Sequence, residues 1–374
     1  MKIALVTGSR AEYGLLHPLA KLIWLDKDTE LQLLVTGSHL SRAHGYTIDQ
    51  ISLPVSGEIE CVLASDTETG VCKGISLAVT GFSEAFERLD PDVVILLGDR
   101  WEILATAIAA HIHRKVTCHL HGGEITAGMA DDAWRHSITK MSQLHFTATE
   151  TYRKRVIQLG EHPDSVFNVG ALGTQGLKRR YEQPINGRVV VLYHSETLRA
   201  NSTTDFWNIC YVIKELDLQA IFIESNADNG ALAINRAIDT VNYESSPNGC
   251  WQLFSSKFRD DFLSLLSGCD AIIGNSSSGI LEAPALGIPT INIGRRQEGR
   301  LKASSIINVP EPTMGNIEKA FDTLYSKEFQ AGLSNIYAPY GKGENVAGKI
   351  LDIIKEQAGN IDMMKGFYDV PFTT

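Results

Sequence analysis

Short apolar runs recur along this chain, and each leads into a polar, amphipathic stretch long enough for a helix. In the first half the runs are Lys2–Thr7, Leu31–Thr36, Val93–Leu97, Val116–Leu120, Leu144–Ala148 and Val166–Val169. They are rich in Val, Ile and Leu, and they end near Gly, Ser or Thr. Most are apolar at consecutive rather than alternate positions, which is how strands buried on both faces read. Helical patterns lie between them, near 12–25, 76–89, 101–113, 132–142 and 150–159. Strand and helix in alternation predict βαβ units and a parallel sheet. The polar segment Ser52–Cys72 reads as a long loop.

A second series begins near Arg188. Strands are expected at Val189–Tyr193, Ala220–Glu224, Ala271–Ile273 and Thr290–Ile293, with helices near 203–216, 230–242, 259–268 and 278–286. The polar stretch Lys178–Gly187, with Pro184 and Gly187, is the expected link. The reading is therefore an α/β protein of two Rossmann-like domains with parallel sheets and an interdomain cleft. The first spans 1–178, the second 188–342, and a helix with an aromatic tail fills 343–374. A chain of 374 residues exceeds the size of one ordinary core, which agrees.

Charge and cysteine content exclude several classes. The net charge of −10 speaks against nucleic acid as a partner. An anionic ligand must be met by local cations and backbone dipoles. The six cysteines show neither a C-x-x-C pair nor zinc spacing, so reduced thiols and a cytoplasmic location are expected. No apolar run is long enough to span a bilayer, and no secretory signal is read at Met1–Gly8.

The richest stretch is 271–287. An apolar strand runs into Gly274-Asn275-Ser276-Ser277-Ser278-Gly279, and a helix bearing Glu282 follows. Free amides, small hydroxyls and a helix N-terminus there can hold a diphosphate without a metal, and Glu282 can accept hydrogen bonds from ribose hydroxyls. The plain alternative is a strand-to-helix turn capped by Asn or Ser. Around this turn the second domain offers His194, Asn226, Asp228, Arg296, Gln297 and Arg300; for the arginines the alternative is a solvated charged loop.

The first domain supplies acidic groups at strand ends. Arg10 follows the first strand and can pair with phosphate oxygens; a salt bridge at the helix start is the alternative. Leu97-Gly98-Asp99-Arg100 puts a carboxylate at the end of a parallel strand, where ligands bind, or else makes Asp99 the cap of the next helix. In His119-Leu120-His121-Gly122-Gly123-Glu124 the histidines alternate onto one face, the glycines admit a sugar to the backbone, and Glu124 reads as an acid–base group rather than a metal ligand. Asp131 and Asp132 open a helix; close to Glu124 and Asp99 they would raise one another's pKa, and otherwise they are ordinary helix-start charges.

Taken in order, Thr7–Gly14, Leu97–Arg100, His121–Glu124, Arg135–Lys140, Gly274–Gly279 and Arg296-Gln297 with Gly299-Arg300 resemble the UDP-N-acetylglucosamine 2-epimerases, most closely their hydrolysing, sialic-acid-pathway branch. The resemblance implies a fold like that of the GT-B glycosyltransferases, with UDP held mainly by the second domain and the last helix packing back on the first. It implies Asp99, Glu124 and Asp131 as catalytic carboxylates. Arg10, His194, Ser276, Ser277, Ser278, Gly279 and Glu282 are the implied UDP-holding set, to which the surrounding Asn226, Asn275, Arg296, Gln297 and Arg300 are added. No cofactor, metal or membrane is implied, and a homo-oligomer is. The sequence departs from other members at His121, Leu15 and Arg295.

The chemistry fits these residue types. The proton on carbon 2 of the sugar leaves readily only as the anomeric bond to UDP breaks. The site must stabilise a departing diphosphate and bring a base to carbon 2. Elimination to a 2-acetamidoglucal, then hydration, would give N-acetylmannosamine and UDP. Substrates bearing a second acetamido group (the diacetamido-trideoxy UDP-sugars of the legionaminic pathway), a non-hydrolysing epimerase and a retaining glycosyltransferase are the rival readings.

Overall fold

The computed structural model describes residues 1–42, 46–65, 67–125, 131–179, 185–194, 202–224, 231–244, 251–254, 259–341 and 344–371. They divide into two units. The first comprises Met1–Glu124, Ala130–Gln175 and Glu344–Thr374; the second comprises Ile125–Met129 and Gly176–Gly343.

The strands of the first unit are β1 (Lys2–Thr7), β2 (Glu30–Thr36), β3 (Val55–Ile59), β4 (Val93–Leu97), β5 (Val116–Leu120), β6 (Leu144–Thr147) and β7 (Val166–Asn168). Its helices are α1 (Arg10–Leu25), α2 (Glu68–Leu89), α3 (Trp101–Ile112), α4 (Asp131–Met141) and α5 (Glu150–Gln158). All pairings are parallel, in the order β3-β2-β1-β4-β5-β6-β7. Side-chain alternation feeds two cores from one strand set. Ile3, Leu5, Leu33, Val35, Val93 and Ile95 meet Leu16, Leu19 and Ile23 of α1. Ala4, Val6, Leu34, Val94 and Leu96 meet Phe82 and Phe86 of α2 and Ile103 of α3. Consecutive apolar residues are therefore used on both faces, as parallel sheets require.

The second unit carries β8 (Arg188–Leu192), β9 (Gln219–Ile223), β10 (Trp251–Phe254), β11 (Ala271–Gly274), β12 (Thr290–Ile293) and β13 (Ile306–Val309). They are also all parallel, in the order β10-β9-β8-β11-β12-β13. Its helices are α6 (Ser202–Glu215), α7 (Ala231–Glu244), α8 (Arg259–Ser267), α9 (Glu282–Leu286), α10 (Met314–Leu324) and α11 (Lys327–Gly332). Val189 and Val191 face one core, Val190 and Leu192 the other.

The structure differs from the sequence expectations at three places. The segment expected to be irregular holds β3 and the start of α2, because an edge strand needs no continuous apolar run; Val55–Glu58 are exposed or half-buried. Strands β10 and β13 and helices α10 and α11 had no expectation attached to them. The helix expected over 278–286 is a single tight turn, Ser277–Gly279, followed by the five-residue α9.

The last helix, α12 (Val346–Gln357), belongs to the first unit. Val346, Ala347, Ile350, Leu351 and Ile354 join the core that α1 lines. The Ala347 amide donates to Gln175 Oε1 at 2.6 Å, and Lys355 pairs with Asp26 at 2.8 Å. Among the described residues no helix is long and apolar enough to cross a membrane. Ile350 is fully enclosed, so Ile350→Ala should cost about 2–5 kcal/mol. Urea denaturation would measure it; a loss below about 1 kcal/mol would mean that α12 merely rests on the surface.

Candidate active site

In an open parallel sheet the crevice lies at the carboxyl ends of the strands, where the strand order reverses. In the first unit that point falls between β1 and β4, and in the second between β8 and β11. Arg10 and Asp99 follow β1 and β4; His194 and Asn275 follow β8 and β11. Topology alone thus brings residues far apart in sequence to equivalent places in the two units.

In the first unit a buried cation organises the acidic groups. Gly98 turns β4 out at φ +81°, and Asp99 follows. Asp99 does not cap α3: the capping position is Arg100, with no side-chain cap bond. Instead Asp99 Oδ2 forms an ion pair with Nη2 of Arg135 from α4. Arg135 is 2% exposed, and its Nη1 also donates to the His121 carbonyl at 3.1 Å. A charge buried this deeply needs such partners.

His121 lies just beyond β5 at φ +63°, a left-handed conformation that costs a non-glycine residue about 1–2 kcal/mol. This twist removes it from the face of His119, contrary to strand alternation. The Leu172 amide donates to His121 Nε2 at 3.4 Å, so the ring proton sits on Nδ1 and is donated to Glu124 Oε1 at 2.8 Å. A continuous chain results: Asp99, Arg135, the His121 backbone, the His121 ring and Glu124. Asp131, on the first turn of α4, lies one helical turn before Arg135 and therefore on the same face. Asp132, its neighbour, lies 3.6 Å from His136.

His119 has a structural task. Its Nε2 donates to the Gly98 carbonyl at 2.8 Å and its Nδ1 accepts from Thr139 Oγ1 at 3.0 Å. Burial pushes its pKa down to about 3, so it stays neutral. Gly122 and Gly123 are also taken up by packing. A side chain on Gly122 would press on His119 and Thr139, and one on Gly123 would meet the Tyr152 carbonyl at 2.5 Å. The space beside Gly123 is taken by α5 and that beside Gly122 by β5 and α4, which gives both glycines a packing role.

Glu12 and Glu102 lie beside this cluster, and neither was singled out from the sequence. The signal for Glu12 was available in Ser9-x-x-Glu12, a capping-box spacing. Ser9 Oγ accepts from the Glu12 amide at 3.3 Å, and Glu12 Oε2 accepts from the Gly8 amide at 2.7 Å. Glu102 is fully buried and accepts from Arg100 Nε at 2.7 Å. Burial, resisted by Arg100 and reinforced by Glu102, raises the Glu12 pKa to about 7. Arg10, the first residue of α1, is exposed.

In the second unit an asparagine clamps two strand ends. Asn275 is fully buried; its Oδ1 accepts from the His194 amide at 2.7 Å and its Nδ2 donates to the His194 carbonyl at 2.8 Å. Arg296 Nη1 and Gln297 Nε2 both donate to the Asn275 carbonyl, at 3.2 and 2.8 Å. Gly274, at φ +143°, has no room for a Cβ, which would overlap the Leu192 carbonyl. Ser276 caps the turn: its Oγ accepts from the Ser278 amide at 3.3 Å and its carbonyl from the Gly279 amide at 3.2 Å. These two amides, expected to be free for an anion, are thus bonded within the turn. Glu282 opens α9 with its side chain 9% exposed and 3.4 Å from Arg259 Nη2. Arg300 is half-buried on the loop after β12. Asn226, Asp228, Ser195 and Glu196 lie outside the described residues.

Comparison with known proteins gives the family and the fold. The family model for UDP-N-acetylglucosamine 2-epimerase matches residues 23–355. A Campylobacter jejuni protein named GDP/UDP-N,N'-diacetylbacillosamine 2-epimerase (hydrolyzing) is 39% identical, over 88% of each chain. An Escherichia coli protein named polysialic acid biosynthesis protein P7 is 36% identical, over 100% of this chain and 98% of its own. The crystal structure of UDP-GlcNAc 2-epimerase from Neisseria meningitidis bound to UDP-GlcNAc superposes with a TM-score of 0.78 at 17% identity, over 96% of this chain and 100% of that one. The fold class read from the sequence, two parallel-sheet Rossmann-like units of the GT-B type, is the observed one.

The Glu12 carboxyl gives a signed pH test. Its folded pKa, about 7, exceeds its unfolded value, so the folded state holds the proton longer. Its contribution to stability therefore falls as pH rises from about 4.5 through 7. Glu12→Gln keeps the acceptor for Gly8 and removes this titration. The stability of the variant relative to the parent, from urea midpoints, should rise between pH 5 and pH 8; a flat difference would contradict the burial of this carboxyl.

Proposed function

Because the chain belongs to the UDP-N-acetylglucosamine 2-epimerase family, we propose that it is a hydrolysing 2-epimerase that converts UDP-N-acetylglucosamine to N-acetylmannosamine and UDP. The observation that carries this reading is the bonded chain from Asp99 through Arg135 and His121 to Glu124 at the carboxyl ends of β4 and β5. It fixes two carboxyl groups on one cation and one imidazole, an arrangement suited to moving protons at neighbouring sugar carbons.

In this mechanism the bond from carbon 1 to the UDP oxygen breaks with its electron pair leaving on UDP. Asp99 takes the proton from carbon 2, and the double bond of a 2-acetamidoglucal forms between the two carbons. A proton is then returned to the opposite face of carbon 2, and water adds its hydroxyl to carbon 1. Glu124 and Asp131 serve this protonation and guide the water. Acid–base groups so placed contribute about 10²–10⁴-fold. The departing UDP is held by Arg10, His194, Asn226, Ser276–Gly279, Arg296, Gln297 and Arg300, with Glu282 accepting hydrogen bonds from the ribose hydroxyls and Asn275 holding His194 in place. With two turn amides already bonded, the arginines and hydroxyls carry more of that task than a helix dipole does. The reading includes a cytoplasmic, homo-oligomeric enzyme.

A second reading changes only the sugar. The 39% identity to the protein named for diacetylbacillosamine favours a UDP-sugar with acetamido groups at carbons 2 and 4. The test is proton NMR in D2O with both UDP-sugars in parallel. Free N-acetylmannosamine deuterated at carbon 2, with equimolar UDP, is the expected product. Turnover of the diacetamido sugar alone would keep the chemistry and change the substrate. An epimerised sugar still joined to UDP would overturn the hydrolysing assignment. Asp99→Asn should lower kcat at least about 10²-fold with UDP affinity kept; normal turnover would remove Asp99 from the base role.

A further inference from the structure

The aromatic tail was expected to pack back on the first domain with the last helix; in the structure residues 361–371 bind one helix end in detail. Lys365 Nζ donates to the carbonyls of Thr139 and Lys140, at 3.1 and 3.0 Å, and to that of Ser142. The Thr139 and Lys140 carbonyls lie in the last turn of α4 and Ser142 directly follows it, where the helix dipole is negative and carbonyls run out of helical donors; the Thr139 carbonyl also accepts from the Ser142 amide at 3.1 Å. The same ammonium lies 2.6 Å from Glu161, whose buried carboxylate also takes Lys140 at 2.6 Å and His145 at 3.0 Å. The neighbouring residues hold the lysine in register. Phe367 fills the space over Gly160 that a Cβ would need, and Lys140 stands 5.1 Å from the ring centroid. The Tyr368 amide donates to the Gly160 carbonyl at 2.9 Å, and the Tyr368 ring packs edge-on to His162.

The other end of α4 carries Asp131, and its middle carries Arg135, the partner of Asp99 and of the His121 carbonyl. We propose that Lys365 is a positioning residue: by capping the carboxyl end of α4 it fixes the helix along its axis, and so sets where Arg135 and Asp131 stand against Asp99 and His121. A helix is stiff along its axis, so a shift at its last turn is passed to its first. The Arg135 contacts are directional, and a displacement of about 1 Å at a reacting group costs about 10²-fold in rate. The kinetic consequence rests on the 2-epimerase reading; the mechanical one does not.

The test compares Lys365→Met and Lys365→Arg with the parent. In Lys365→Met, amides of α4 should exchange with deuterium about tenfold faster or more, while those of β1 and β4 keep their protection. Its kcat should fall about 10²-fold, with KM for the UDP-sugar and Kd for UDP unchanged. Lys365→Arg, which retains the donors, should recover most of both. Unchanged exchange in α4 would overturn the proposal, as would faster exchange at full kcat, or equal losses in kcat and in UDP affinity. If Lys365→Met fails to fold, Phe367→Ala keeps the lysine and removes the ring that seats the tail on Gly160 and Lys140; the same pattern at smaller amplitude is expected, and a silent variant would overturn the proposal. Absence of turnover by the parent on either sugar would sink the 2-epimerase reading, and the exchange comparison would still decide whether Lys365 holds α4.

Discussion

A guanidinium buried as deeply as Arg135 has to be neutralised where it stands, and much of the first unit's site follows from that requirement. The desolvation cost of an ion is several kcal/mol, recovered only through good geometry and full hydrogen bonding. Arg135 recovers part of that cost through Asp99 at the end of β4 and the carbonyl of His121 at the end of β5. Helix and sheet are thereby locked at the ends of β4 and β5, beside the point where the strand order reverses. His121 accepts a left-handed backbone in this arrangement, and its ring is free to orient Glu124. Loss of the cation would leave a carboxylate, a strained residue and a helix without their common tie.

The second unit meets the same need without charge. Asn275 presents an amide that matches a backbone peptide, and it bonds His194 through both its donor and its acceptor. A strand end that would fray is thus stitched to its neighbour. Gly274 permits the close approach of β8 that this stitch demands. Arg296 and Gln297 then gather on the Asn275 carbonyl, so a loop in the sequence becomes a fixed set of side chains.

Strands buried on both faces were legible because burial leaves a continuous apolar record; Val93–Leu97 and Thr290–Ile293 were read to the residue. Edge strand β3 left no such record. The glycines of Gly122-Gly123 were legible as a backbone constraint, but what imposes it, the Tyr152 carbonyl and the side chains of His119 and Thr139, sits on other elements. Arg135 was visible as part of a motif, yet its pairing with Asp99 spans 36 residues, and no local pattern encodes it. At Ser276–Gly279 the sequence showed where strand β11 ends, but the helix expected from 278 is a tight turn with α9 starting only at Glu282. The turn's internal bonding depends on backbone angles that small residues allow in several forms. In general, what depends on periodicity could be read, and what depends on which loops meet could not.

The placement of α12 and the segment beyond it bears on the order in which the molecule can be made. Ile350, Leu351 and Ile354 complete a core begun by Ile3 and Leu5, and Lys355 pairs with Asp26 across 329 residues of chain. On a ribosome the first sheet is therefore synthesised long before the helix that closes it, and the α1 face waits uncovered while the whole of the second sheet emerges. Exposed apolar surface of this kind is where aggregation begins. The entropy of closing so long a loop rises only slowly with its length, so the penalty of this connectivity is a delay rather than a loss of final stability.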